Sequence, residues 1–145
     1  MTYENYIKGN LVRFCVDEAY HTGSSDAVLA IAQVLKNRVD AGWCGGDWNK
    51  VIEAAPNYVG TVQENRTEID PRDALFRRIL LCIDDVYYGI ADAGNVNVQG
   101  PDETKVALYY AQLNHVNRQW FRDSITSDLE SHPRIAKVDQ FDFFA

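Results

Sequence analysis

The chain has 145 residues, 46% of them apolar, with 21 acidic side chains against 14 basic and a net charge of -7. That is enough apolar sequence for one domain with a core, and too much for a disordered chain. Scattered Lys and Arg in an acidic chain argue against a nucleic-acid partner, and no stretch approaches the ~20 apolar residues of a membrane span.

Residues 3–21 read as a helix, because Tyr3, Ile7, Leu11, Phe14 and Cys15 recur at helical spacing. Ser24, Ser25 and Asp26 are good N-cap residues for a second helix running from there to about Asp40, with Val28, Ile31, Ala32, Leu35 and Val39 on its buried face. Gly42 is placed to close it in the left-handed conformation. Asp47 caps a short helix over Trp48 to Ala54, and a loop centred on "AAPNYVGTV" follows. Asp70-Pro71 predicts the start of another helix, with an oxygen for orphan amides and a proline suited to the first turn. Leu75, Ile79, Cys82 and Val86 form its face and Gly89 ends it. "ADAGNVNVQGPDE" reads as loop, and "KVALYYA" alternates like a strand. Residues 118–130 read as helical, and "RIAKVDQFDFF" as a hairpin turning at Asp139 and Gln140. With no linker or repeat, residues 1–145 form a single, mainly helical α+β domain with a small antiparallel sheet.

The first helix carries an acid on its apolar side. At 100° per residue, Leu11 and Ile7 lie about 20° from Glu18, Phe14 about 40° and Cys15 about 60°. Asp17 falls on the solvated side, one turn from Arg13. A half-buried carboxyl holds its proton to higher pH, and a helix C-terminus pushes the same way. Those are the properties of a general acid. The alternative is that Glu18 caps a loop amide or pairs with an arginine.

"DEAYHTGSSDAVLAIAQVLKNRV" resembles the signature of the cell wall hydrolases related to spore-cortex-lytic enzymes, which carry an "EARGE" segment followed by a "GxxAVAQVVLNRV"-like helix. Glu18-Ala19 matches the first element and Ala30 to Val39 the second. "WCGGDWNKVI", "AAPNYVGT", "VALYYAQ" with Trp120, and "KVDQFDFF" follow in the family's order, so the resemblance spans about residues 8 to 144. Departures are Tyr20, His21 and Thr22 in the "EARGE" element, Val106 before the strand, and Phe141 at the family's closing His.

The resemblance implies a lysozyme or lytic-transglycosylase-like fold and cleavage of peptidoglycan glycan strands between N-acetylmuramic acid and N-acetylglucosamine, with Glu18 as the catalytic acid. A hydrolase ordinarily needs a second carboxylate. Glu53, Asp47 and Asp102 read better as caps or solvated groups. A single carboxyl suffices if the muramic-acid 6-hydroxyl attacks its own anomeric carbon to give a 1,6-anhydro ring. That route requires no metal, nucleotide or other cofactor.

Tyr58, Tyr109 and Tyr110 are candidates for stacking on sugars. Strand alternation allows only one of Tyr109 and Tyr110 to face the site, and Tyr109 is taken as the substrate-binding one. Gln33, one turn from Asn37, either touches substrate or holds a loop. His21 adjoins the site or caps a helix. His115 and His132 are not spaced as metal ligands. Cys15, Cys44 and Cys82 form no CxxC pair and read as free thiols, with a nucleophilic Cys15 as the sharper alternative. The opening MTYENYIKGN has no leader-like apolar run, so synthesis in the cytoplasm is expected, with action on the wall as a phage lysis or virion-borne protein. The rival reading is a non-catalytic structural protein that retains the fold.

Overall fold

A computed structural model describes residues 2–61, 67–90 and 106–145. The predicted loop at 91–103, with Asp102, lies outside them. Four helices come first: α1 (Tyr3–Ala19), α2 (Ser25–Asp40), α3 (Trp48–Ala54) and α4 (Ala74–Tyr87). They are followed by β1 (Tyr109–Ala111), a short helical turn α5 (Gln119–Phe121) continuing as a π-helical stretch over Arg122–Thr126, then β2 (Arg134–Val138) and β3 (Phe141–Phe144). The expected mainly helical α+β architecture with a small antiparallel sheet is what the chain adopts.

Each long helix begins at a side-chain oxygen that satisfies an orphan amide. Thr2 accepts from Asn5 N at 3.1 Å, Ser24 from Ala27 N at 3.0 Å, Asp47 from Lys50 N at 3.1 Å and Asp73 from Leu75 N at 2.9 Å. The last of these corrects the sequence reading. Asp70 and Pro71 make a turn, in which Asp70 accepts from the Arg72 amide at 2.9 Å, and α4 starts after Asp73. Two aspartates three residues apart offer two caps, and the second adjoins the apolar run. The helix read at 118–130 is likewise shorter and is mostly π-helical.

Helix α2 is the centre of the domain. Nearly all of it is buried, against α1 and α4 on its long sides and α3 near one end. Strand β3 lies in the middle of the sheet, order β1-β3-β2, both pairings antiparallel. Its alternation divides two cores. Phe141 and Phe143 join the main helical core, while Phe144 packs with Ala111, Phe121 and Ile125 on the other face. The hairpin turn is at Asp139-Gln140 as expected, with Asp139 in the left-handed region at φ 52°.

The chain leaving α3 passes β1 at close range. Gly60 O accepts from the amides of Asn117 and Arg118, at 3.0 and 3.3 Å. A Cβ on Gly60 would lie 2.9 Å from Ala111 Cβ and 3.5 Å from the Phe121 ring. Gly60→Ala should therefore lose about 1–3 kcal/mol to overpacking. Gly9, within α1 and with nothing near its missing Cβ, should gain roughly 0.5–1 kcal/mol as Ala. Urea midpoints of the two variants check the contrast.

Candidate functional site

Glu18 sits in the last turn of α1. The helix ends one residue later, where Ala19 turns to φ -135° and the chain continues as the tight turn Tyr20–Thr22. Thr22 Oγ1 donates to Ala19 O at 2.6 Å, and Gly23 closes the turn at φ 76°. This geometry keeps Glu18 on the apolar stripe with Leu11 and Cys15, and it is only 6% exposed. On the opposite side Arg13 and Asp17 pair as the helical spacing predicts, with Arg13 Nε 3.1 Å from Asp17 Oδ2.

Tyr110 on β1 donates its hydroxyl to Glu18 Oε1. Burial is the main influence on the carboxyl. It pushes the pKa up to about 7, against the opposing effects of the Tyr110 hydrogen bond and the Arg38 cation. Burial and the neighbouring Glu18 also raise the Tyr110 hydroxyl and the Cys15 thiol well above their ordinary values. A thiol so disfavoured as thiolate is a poor nucleophile, which removes the physical basis for a catalytic Cys15.

The cleft that Glu18 faces is lined by Gly60, Thr61, Tyr110, Ala111, Gln112 and Phe141, and its volume of about 10 Å³ is room for roughly one water. Two larger spaces lie close by. A polar trough of about 550 Å³ runs between the 112–115 segment and the hairpin, lined among others by Gln112, His115, Lys137 and Asp142. Another, of about 470 Å³, borders the α1–α2 junction at Thr22–Asp26. Asp139 and Gln140 line both, and Gln112 lines both the trough and the Glu18 cleft. Gln112 Nε2 donates to Gln140 Oε1 at 2.7 Å. The sequence leads one to expect Glu18 to open directly into a groove, but it lines neither large space.

The other anticipated residues divide clearly. Tyr109 is displaced by Tyr110. Both are strand tyrosines, and the antiparallel register sets Tyr110 beside Phe143 on the core face. Tyr109 turns the other way and meets Trp43 and His132, with ring centroids 5.7 and 5.4 Å away. Tyr58 is half-buried between Trp43 and Trp120, at 5.0 and 6.0 Å, and does not line the Glu18 cleft. Gly60, two residues on, does. Gln33 is buried and donates to Asn37 Oδ1 at 3.0 Å, while Asn37 Nδ2 donates to Ala107 O at 2.9 Å. Both side chains brace the approach to β1. His21 is exposed and away from the cleft. Asp47 is a helix cap and Glu53 an exposed acceptor for Asn49.

Gln112 and Asp142 are site features that the sequence reading passed over. Asp142 is 2% exposed and bound to Arg134 at 3.0 Å. The available signal was an acid inside the apolar run "FDFF". Among the described residues, no helix is long and apolar enough to cross a membrane. Comparisons with protein-family models, curated proteins and solved structures return no match.

A buried carboxyl with a raised pKa has a defined stability signature. Its contribution is fully present below the unfolded-state value near 4.5 and is lost as pH rises through about 7. Glu18→Gln preserves the shape and leaves an oxygen for Tyr110. The variant should match the parent near pH 4 and exceed it by about 3 kcal/mol above pH 8. Denaturation midpoints across that range test the sign.

Proposed function

We propose that this chain cleaves the glycan strands of peptidoglycan, with Glu18 as the general acid. The observation that carries the reading is the buried Glu18 carboxyl, hydrogen-bonded by Tyr110 and holding its proton to about pH 7. Three parts of the chain that resemble the wall hydrolases support it by meeting at one cleft. They are Glu18 of the first element, Tyr110 of the "ALYY" strand and Phe141 at the position of the closing His. A lysozyme-like arrangement of the helices belongs to the same proposal.

Among the described residues, no second carboxylate lines the cleft. This favours the route in which the substrate supplies its own nucleophile. Glu18 protonates the bridging oxygen as the bond from the anomeric carbon to the leaving sugar breaks. The muramic-acid 6-hydroxyl forms the new bond to that carbon and returns its proton to Glu18. The products together are an isomer of the substrate, and no water is consumed. Tyr110, donating to the carboxylate, stabilises the charged state between the two transfers. The polar trough beyond Gln112 is large enough to hold a sugar unit and is lined by amide and charged groups suited to hydroxyls and acetamides.

A second reading, a non-catalytic structural protein with the same fold, is favoured by the size of the Glu18 cleft, which admits a water and no sugar ring. Mass spectrometry of muropeptides after incubation with purified peptidoglycan separates the two. Anhydro-muramic ends support the route above, reducing ends indicate hydrolysis, and intact glycan favours the structural reading. If the reading holds, Glu18→Gln should lower release by at least ~10²–10⁴-fold with the fold intact. Release by the parent should fall as pH rises through about 7.

A further inference from the structure

Arg38 is the largest fully buried side chain among the described residues, at 1% exposed. A guanidinium does not deprotonate in proteins, so a full charge stands in the core, where an ion normally has a hydrogen-bonded partner of opposite sign. Here Arg38 Nε donates to Leu108 O at 2.9 Å, while Nη1 and Nη2 are buried with no hydrogen-bond partner among the described residues. Around the guanidinium stand three rings, those of Trp43, Tyr58 and Tyr109, with centroids 5.0, 5.6 and 5.9 Å from Cζ. Aromatic faces offset part of the lost hydration but do not neutralise the charge.

The position of this charge relative to Glu18 follows from β1. Asn37 and Arg38, adjacent on α2, hold the carbonyls of Ala107 and Leu108. The next two residues alternate across the strand, so that Tyr109 closes the Arg38 cage and Tyr110 reaches Glu18. One short segment is thus fixed to the buried cation at one end and to the buried acid at the other.

We propose that Arg38 is the positioning residue of the Glu18–Tyr110 pair: it anchors the strand that presents the Tyr110 hydroxyl and holds its buried cation against that strand. Among the described residues, the titratable or charged groups around Glu18 are Asp17 and Cys15 on α1, Tyr110 on β1 and Arg38 on α2. Burial and Asp17 oppose ionisation of Glu18, and among the described residues Arg38 is the cation that favours it. The placement holds whatever the chain does. Its catalytic consequence rests on Glu18 being the general acid.

The test compares Arg38→Gln with Arg38→Lys in the full chain. Either replacement has a donor for Leu108 O, and of the two only Lys can carry a charge. The Glu18 carboxyl is titrated by carbon-13 NMR of protein labelled at glutamate, its resonance assigned by its loss in Glu18→Gln. Arg38→Gln should move the Glu18 midpoint upward by about 0.5–1 pH unit, and Arg38→Lys should restore it. The alkaline limb of the glycan-release profile should move with it. An unchanged midpoint in Arg38→Gln, or an equal shift in both variants, overturns the proposal and leaves Arg38 a packing residue. Should neither variant fold, Trp43→Leu opens the half-buried wall of the cage to water. The midpoint must then still rise, and its failure to do so overturns the proposal equally. The titration reads Glu18 without any cleavage. A shift in a protein that releases no muropeptide retains the proposal and removes the enzymatic reading alone.

Discussion

The domain depends on how α2 resolves being buried on nearly every side. A helix surrounded by core must either be wholly apolar or satisfy its polar groups inside the protein. Gln33 donates to Asn37, Asn37 to the carbonyl of Ala107, and Arg38 Nε to the carbonyl of Leu108, which leaves the Arg38 Nη groups to the aromatic rings around them. Unmade, each such bond would leave a buried donor or acceptor at a cost of about 1–3 kcal/mol. These contacts tie the short strand β1, far away in the chain, to the helical half of the molecule. A slide of β1 by one residue would exchange the faces of Tyr109 and Tyr110. The two carbonyl bonds, with the β1–β3 ladder, define the register.

The register in turn gives Glu18 its chemistry. A carboxyl at the end of an apolar helix face would be expelled to solvent if the neighbouring surface allowed it. Tyr110, Phe141 and the Gly60–Thr61 segment close over it instead, and Gly60 does so by lacking a side chain that would strike Ala111. The result is an acid that is destabilising to the fold near neutral pH and proton-bearing where an exposed glutamate would be ionised. Such a trade between stability and reactivity is common at active sites. The same enclosure limits direct access, and the link between Gln112 and Gln140 stands where the small cleft and the larger polar trough adjoin.

Aromatic residues that look like sugar-stacking platforms in the sequence stand around a buried cation in the fold. Tyr58, Tyr109 and Trp43 surround the Arg38 guanidinium, and Tyr58 meets Trp120 on its far side. A loop position and an aromatic ring make a plausible binding residue in any chain. The buried cation accounts for where these rings stand, since aromatic faces offset part of its lost hydration.

Much of the fold was legible in the sequence, because local chemistry determined it. The spacing of Ile7, Leu11, Cys15 and Glu18 placed the acid on the buried side of α1, and the Ser24 and Asp47 caps set the starts of α2 and α3. The β2–β3 hairpin and its turn at Asp139-Gln140 were equally readable. Only the tertiary structure decided which of two adjacent tyrosines meets Glu18, since alternation separates their faces without naming them. It also decided that α4 is capped by Asp73 and not by Asp70, the second of two nearby caps being the one that adjoins the apolar run. It likewise made Gln33 a brace and Gln112 a cleft residue. A polar side chain's role depends on which group lies opposite: Gln33 holds Asn37 one turn away, but Asn37 finds Ala107 O and Glu18 finds Tyr110 only when segments 70 or more positions apart in the chain come together in the fold.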